Sequence, residues 1–144
     1  MRQTESMAKG RNPRSLMVRD LMEDNVITCH CGTTAADIAR LMSERNFGSL
    51  PVVADDGVLV GLVSEYDLLQ LMIEGKDPRK VMVAEIMTPH VVTITEEMSL
   101  ESLGSLFQDR HVTRVPVVRG SRLVGIVARR DLVFGYMKAL EYWS

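Results

Sequence analysis

The sequence has few of the features that mark secreted, membrane or fibrous proteins. Its 144 residues include two cysteines, five prolines and one tryptophan, and aromatic residues make up 5%. Cys29 and Cys31 are one residue apart, so a mutual disulfide would be strained and neither has a distant partner. Apolar runs such as residues 58–63 fall far short of the roughly 20 residues of a membrane helix, and the N-terminus lacks a signal-peptide core. We therefore expect a globular, cytoplasmic protein.

An excess of charge of one sign is also missing. Seventeen Lys and Arg residues against nineteen Asp and Glu residues give a formal net charge of −2, which disfavours general nucleic-acid binding. Residues 1–15 are locally basic, with Glu5 as their only acid, and have no apolar periodicity. We interpret this segment as a mobile basic tail, with a nucleic-acid-binding arm as the alternative.

Signatures of catalysis and of metal binding are absent too. The sequence has no nucleophile elbow, P-loop, dinucleotide glycine fingerprint or His-Glu-x-x-His motif. We therefore expect that the protein is not an enzyme. Cys29-His30-Cys31 contains zinc-ligand chemistry. A structural zinc site needs four ligands, however, and successive strand residues point to opposite faces. We expect no metal site.

What the sequence does contain is an internal repeat. Residues 17–53 align with residues 82–118, and after one deleted residue the alignment continues through the next strand and helix start. The coincident residues include Pro51-Val52-Val53 with Pro116-Val117-Val118, Leu59-Val60-Gly61 with Leu123-Val124-Gly125, and Asp67 with Asp131. Self-similarity of this kind indicates a duplicated structural unit.

Each copy shows the same order of predicted elements. A short amphipathic start leads to a β-branched strand, residues 26–28 or 91–94, and a helix follows the N-cap residue Thr34 or Ser99. Two further strands joined by a tight turn come next, with Asp56-Gly57 as the hairpin signal of the first copy. The second helices begin near Glu65 and Arg129.

These elements predict an α/β (α+β) fold of two β-α-β-β-α repeats. The predicted layout is a tail over residues 1–15, repeat 1 over 16–73, a Gly- and Pro-containing linker over 74–81, and repeat 2 with a C-terminal helix over 82–144. The C-terminal helix carries an apolar stripe typical of a core or of a subunit interface.

The repeated residues resemble a known family, the tandem CBS-domain pair or Bateman module, in its stand-alone type. The resemblance rests on the opening segments 18–22 and 83–87, the Pro-Val-Val strands 50–53 and 115–118, and the Gly-h-Val-x-x-x-Asp runs 61–67 and 125–131. It implies two repeats related by a pseudo-twofold axis, ligand clefts between the repeats, and a homodimer. It also implies a regulatory function: binding of AMP, ADP, ATP or S-adenosylmethionine, and signalling in trans to an unknown partner protein.

The chemistry of the repeated residues fits a nucleotide. A carboxylate at the start of a helix can accept hydrogen bonds from the two hydroxyls of a ribose, and Asp67 and Asp131 are so placed. The Ser64 hydroxyl and the N–H groups of the helix N-terminus can donate to a phosphate. The second copy has Ala128 in place of the hydroxyl.

By resemblance, the base would lie against the first strand of each copy and the start of the Pro-Val-Val strand. The predicted nucleotide-binding set is Thr28, Cys29, Ser49, Leu50, Gly61, Ser64 and Asp67 in the first copy and Thr93, Ile94, His111, Arg114, Val115, Arg129, Arg130 and Asp131 in the second. For Leu50 and Val115 the alternative interpretation is packing within the strand. For His111, Arg129 and Arg130 the alternative is an ordinary surface position. No obligatory cofactor is expected. The alternative function is a structural homodimerisation module without ligand binding, supported by Ala128.

Overall fold

The structure, a computed structural model, describes residues 12–143. In chain order its elements are α1 (Val18–Leu21), β1 (Cys29–His30), α2 (Ala35–Arg45), β2 (Ser49–Val53), β3 (Leu59–Ser64), α3 (Glu65–Ile73), α4 (Leu100–Arg110), β4 (Arg114–Arg119), β5 (Arg122–Ala128) and α5 (Arg129–Tyr142), with 3₁₀ helices at Pro13–Ser15 and Val83–Glu85. In this part of the chain, every helix is too short or too polar to cross a membrane.

The described chain divides into two compact units. The first-repeat unit comprises residues 27–91 and 121–123, and the second-repeat unit comprises residues 12–26, 92–120 and 124–143. Each unit contains helices packed on strands, which confirms the predicted α+β class.

The first-repeat unit is built on a three-stranded sheet in the order β1-β2-β3. Strand β1 pairs in parallel with β2, which pairs antiparallel with β3. Helix α2 begins where the Thr34 hydroxyl accepts a hydrogen bond from the Asp37 amide at 3.2 Å, as predicted from its N-cap residue. Its buried face, with Ile38 and Met42, packs against the strand residues Leu50, Val52 and Val63.

The second-repeat unit has a two-stranded sheet, β4-β5. The Ser99 hydroxyl accepts from the Ser102 amide at 3.2 Å and begins helix α4, again as predicted. Leu103 and Phe107 of α4 pack against the strand residues Val117 and Val127.

The positions predicted for the first strand of each copy are wrong. Residues 26–28 form no strand, and β1 begins at Cys29. In the second copy the strand is reduced to a single parallel bridge between Ile94 and Val117. A β-branched sequence predicts an extended backbone, but a strand also needs a hydrogen-bonded partner strand. Two residues of the first edge segment and one residue of the second have such a partner.

The opening segments of the two repeats belong to the compact units of the opposite repeats. Val18 lies in the core of the second-repeat unit, and Val83 lies in the core of the first-repeat unit. Backbone hydrogen bonds fix both segments: Glu23 and Ile126 exchange a pair at 2.9 Å, and Thr88 and Leu62 exchange a pair at 2.9 and 3.0 Å. The predicted boundaries at residues 16 and 82 therefore mark the sequence repeats and differ from those of the compact units.

The predicted mobile tail lies outside the described residues for positions 1–11. For positions 12–15 the structure has Pro13 buried at the start of a 3₁₀ helix, and the mobility of the tail stays a prediction. The Asn12 side chain accepts from the Arg14 amide at 3.0 Å, and Arg14 lies 3.6 Å from Glu101. Proline at a first helical position needs no hydrogen-bond acceptor, which suits this start.

Candidate functional site

The candidate residues fall into two groups, one in each compact unit. All the first-copy candidates lie within residues 27–91, and all the second-copy candidates lie within the second-repeat unit. In each unit some of the candidates lie at the junction between the last strand of the hairpin and the helix that follows it, β3 to α3 or β5 to α5, whereas Cys29 and Ile94 pair with the middle of the neighbouring strand.

Asp67 is held by the residue that begins its own helix. Its Oδ2 accepts hydrogen bonds from the Ser64 amide at 2.7 Å and from the Ser64 hydroxyl at 3.1 Å. The Asp67 amide in turn donates to Ser64 Oγ at 3.4 Å, which completes a capping box. No described residue donates to the other carboxylate oxygen, Oδ1. The carboxylate is therefore fixed in orientation through Oδ2, and its Oδ1 accepts no hydrogen bond from the described residues.

Asp131 occupies the equivalent position in the second-repeat unit and is 5% exposed. Its Oδ2 accepts from the Ala128 amide at 2.9 Å, but alanine supplies no hydroxyl for the reciprocal bond. Arg114 lies near this carboxylate. Burial lowers the pKa of Arg114, and the charge of Asp131 raises it in part. A buried carboxylate and a partly buried guanidinium thus compensate each other here.

The amide that begins each helix already has a partner. Glu65 N donates to Gly48 O at 3.0 Å, and Arg129 N donates to Thr113 O at 2.9 Å. Together with the bonds between Ser64 and Asp67, this leaves fewer helix N-terminal donors for a phosphate than the sequence suggested. The same bonds place the residues that begin β2 and β4 beside the start of α3 and α5.

Gly61 has a packing role that the sequence did not reveal. A Cβ at this position would lie 2.6 Å from Met87 Sδ and 2.9 Å from the Thr88 carbonyl oxygen. Gly125 is in the same position beneath Met22, whose Sδ would lie 2.6 Å from an added Cβ. Because glycine has no side chain, the opening segment can pack closely against the hairpin at this position. The role of Gly61 in ligand binding stays a prediction.

The candidates for the base differ in accessibility. Leu50, Ile94 and Val115 have their side chains in the hydrophobic cores, so only their backbone could reach a ligand. Ser49 is also buried. Thr28 is half-buried and Thr93 exposed.

The Cys29 thiol is buried and donates to Pro51 O at 3.7 Å. Burial, with a smaller contribution from Cys31, raises the pKa of Cys29 from 9.0 to about 11. We therefore expect Cys29 in the folded protein to react with iodoacetamide at pH 8 about a hundred times more slowly than an ordinary thiol, because its thiolate fraction is smaller. Peptide mapping of the Cys31→Ala variant, folded and in urea, measures this, and equal rates in the two states would contradict it.

His111 and the two arginines at the start of α5 are exposed. His111 has left-handed backbone angles, φ 51° and ψ 34°, and ends helix α4, as Asn46 ends α2 with φ 56°. The Arg130 guanidinium lies 5.6 Å from the centre of the Phe134 ring. In residues 12–143, no group of three or more His, Cys, Asp or Glu side chains is arranged to hold a metal ion.

Comparison with known proteins identifies relatives of the whole pair of repeats. The family model described as CBS domain matches residues 18–74 and 83–138. The CBS domain-containing protein YhcV of Bacillus subtilis is 36% identical over 121 residues, which cover 83% of this chain and 85% of YhcV. Some other curated relatives are longer: the chain covers 62% of the length of the uncharacterized protein MK0525 of Methanopyrus kandleri and 24% of that of an L-aspartate semialdehyde sulfurtransferase of Methanocaldococcus jannaschii.

Solved structures of CBS pairs are also similar to this chain. The crystal structure of CBSX2 in complex with AMP has a TM-score of 0.76 at 30% identity and covers 85% of this chain and 97% of that one; CBSX2 is from Arabidopsis thaliana. The CBS domain pair of protein MJ0100, in complex with 5′-methylthioadenosine and S-adenosyl-L-methionine, has a TM-score of 0.72 at 28% identity and covers 82% and 97%.

Proposed function

Because this chain belongs to the CBS domain family, we propose that it is a regulatory module that binds an adenosine-containing ligand and signals in trans to a partner protein. The observation that carries the proposal is the Asp67 carboxylate, fixed through Oδ2 with Oδ1 available to a ribose hydroxyl. Asp131 occupies the equivalent third position of α5, where its Oδ2 accepts a hydrogen bond from the Ala128 amide. The AMP, 5′-methylthioadenosine and S-adenosylmethionine bound by the similar proteins share an adenosine group and support the same ligand class.

A second candidate function is structural homodimerisation. Helices α3 and α5 both expose large apolar side chains, and such patches on a protein surface mark interaction sites. The exposed residues are Tyr66, Leu69, Met72 and Ile73 on α3 and Val133, Phe134, Met137 and Leu140 on α5. We propose a homodimer that uses these faces, which is compatible with ligand sensing. The free thiols Cys29 and Cys31 support the proposed cytoplasmic location.

The Asp67→Ala variant tests the ligand site. Replacing a charged acceptor of ligand hydroxyls costs about 1.5–3 kcal/mol, so we expect roughly ten- to hundredfold weaker binding of the adenosine compound at the first-repeat unit. The measurement is a titration with AMP, ADP, ATP and S-adenosylmethionine, followed by the amide chemical shifts of residues 64–67 and by thermal unfolding. A ligand at 100 times its dissociation constant raises stability by about 2.7 kcal/mol.

Asp37→Ala is the matched control. Asp37 occupies the same third position of helix α2, and its carboxylate lies 3.2 Å from Arg40 outside the candidate set. Both variants lose a first-turn acid, but only Asp67→Ala should lose ligand affinity. Unchanged affinity in Asp67→Ala would make its assignment wrong. Absence of binding by any of the four compounds would favour the structural homodimer.

A further inference from the structure

We infer that the two candidate sites divide the ligands by charge: the second-repeat unit takes a phosphorylated nucleoside, and the first-repeat unit takes an adenosine compound without a phosphate. The inference rests on the proposed function and assigns a ligand class to each of its two sites. It comes from side chains of opposite charge at equivalent places in two units of similar backbone.

The second-repeat unit gathers three arginines around the start of α5. Arg129 and Arg130 are the first two residues of this helix. The bond from Arg129 N to Thr113 O, at 2.9 Å, brings the residue before Arg114 against the same helix start. With the single carboxylate of Asp131, three guanidinium groups give this site a formal charge of +2.

Two of these guanidinium groups have no carboxylate partner in the part of the chain that the structure describes. Among residues 12–143, neither Arg129 nor Arg130 forms an ion pair, whereas Arg119 lies 2.9 Å from Glu96 and Arg14 lies 3.6 Å from Glu101. The contact of Arg130 with the Phe134 ring leaves its charge uncompensated. A guanidinium group matches the geometry of phosphate oxygens and stays charged at every physiological pH. These arginines therefore take over the phosphate contacts for which Ala128 has no hydroxyl.

The first-repeat unit has the same backbone arrangement with the opposite charge. Ser49, Glu65 and Tyr66 stand where the second-repeat unit has Arg114, Arg129 and Arg130. Glu65 N donates to Gly48 O at 3.0 Å, and the Glu65 carboxylate extends over the same loop, with Oε1 3.0 Å from the position that a Cβ on Gly48 would take.

Glu65 and Asp67 give this site two carboxylates, and none of its equivalent positions carries a cation, so its formal charge is −2. The Ser64 hydroxyl is already bonded to Asp67. Asp67 is half-buried and Glu65 is exposed, so a phosphate beside them would be repelled by both carboxylates, and more strongly by Asp67 because water screens it less. The site therefore rejects a phosphate and suits an uncharged thioether of adenosine or a sulfonium cation. One protein would then respond to two chemically different adenosine compounds.

The test compares ADP with 5′-methylthioadenosine on the full chain, by calorimetry and by amide chemical shifts. ADP is expected to perturb residues 113–115 and 128–131, and 5′-methylthioadenosine to perturb residues 48–50 and 64–67. The double variant Arg129→Ser/Arg130→Ser should weaken ADP binding about ten- to hundredfold, the usual effect of losing hydrogen bonds to a charged group. Its affinity for 5′-methylthioadenosine should stay unchanged.

The matched control is Arg14→Ser/Arg119→Ser, which removes the same charge from carboxylate-paired arginines of the same unit and should leave ADP affinity unchanged. Conversely, Glu65→Arg/Tyr66→Arg should give ADP a second binding site. If ADP and 5′-methylthioadenosine perturb the same unit, or if the Arg129→Ser/Arg130→Ser variant binds ADP normally, the division by charge is wrong while the proposed function stands. If neither compound binds, the division by charge is wrong, and the proposed function fails as well only if AMP, ATP and S-adenosylmethionine also do not bind.

Discussion

Replacing Gly61 by alanine is expected to destabilise the protein by about 1–3 kcal/mol, the usual cost of overpacking. The added Cβ would lie 2.6 Å from Met87 Sδ and 2.9 Å from the Thr88 carbonyl oxygen. The thioether can rotate away, but the carbonyl belongs to a backbone segment that exchanges hydrogen bonds with Leu62 at 2.9 and 3.0 Å. The variant can relieve the overlap only by moving that segment off the hairpin. The midpoint of urea unfolding, at constant slope, measures the loss.

Gly104→Ala is the control, and it is expected to change stability in the opposite direction. Gly104 lies inside helix α4, and an added Cβ would meet Leu132 at an ordinary 3.8 Å. Alanine in a helix interior is favoured over glycine by about 0.5–1 kcal/mol, so this variant should be more stable than the wild type. Gly125→Ala should fall closer to Gly61→Ala, with a smaller loss because the nearest backbone oxygen, that of Glu23, is 3.2 Å away. Equal stability of Gly61→Ala and Gly104→Ala would contradict the packing role.

The expected loss at Gly61 also affects how site variants are chosen. Gly61 was predicted as a ligand residue, but its substitution moves residues 87 and 88 and would alter binding through the fold. Asp67 separates the two effects better, because its side-chain hydrogen bonds to described residues are all with Ser64. Loss of its capping bonds costs about 1 kcal/mol of stability, a change that leaves most of the protein folded.

Features set by neighbouring residues were predicted from the sequence. Thr34 and Ser99 cap their helices because each side chain reaches an amide three residues ahead. The turn before β3 has Gly57 at φ 85°, the left-handed conformation that the Asp-Gly pair indicated. The duplication itself was visible because both copies keep these local signals.

Features that depend on distant contacts were not predicted. The spacing from Ser64 to Asp67 is that of a capping box, yet both side chains were predicted to contact the ligand directly. The proximity of Arg114 and Asp131 joins a strand to a helix start and has no local signature. The sequence also did not show which unit each opening segment packs in. An apolar pattern indicates which face of a segment is buried, but it does not indicate which copy of the repeat covers that face.

The second large effect on stability is expected in the opening segments, each of which packs in the compact unit of the other repeat. Val18→Ala and Val83→Ala each remove two buried methyl carbons from a fully buried position, and we expect each to cost roughly 2–3 kcal/mol, between the usual losses for Ile→Val and Leu→Ala. The loss should fall on opposite units, because Val18 packs in the core of the second-repeat unit and Val83 in that of the first-repeat unit. Native-state hydrogen exchange can locate it.

Val18→Ala should speed exchange mainly in β4 and α4, and Val83→Ala mainly in β2 and α2. The two variants control for each other, since they make the same substitution at equivalent positions of the repeat. If each variant instead loosened the strands of its own sequence repeat, the opening segments would pack within their own copies, and the assignment of residues 12–26 to the second-repeat unit would be wrong. The predicted pattern would mean that residues 12–26 stabilise the unit that carries Arg114 and Asp131, so substitutions in residues 12–26 would affect that site.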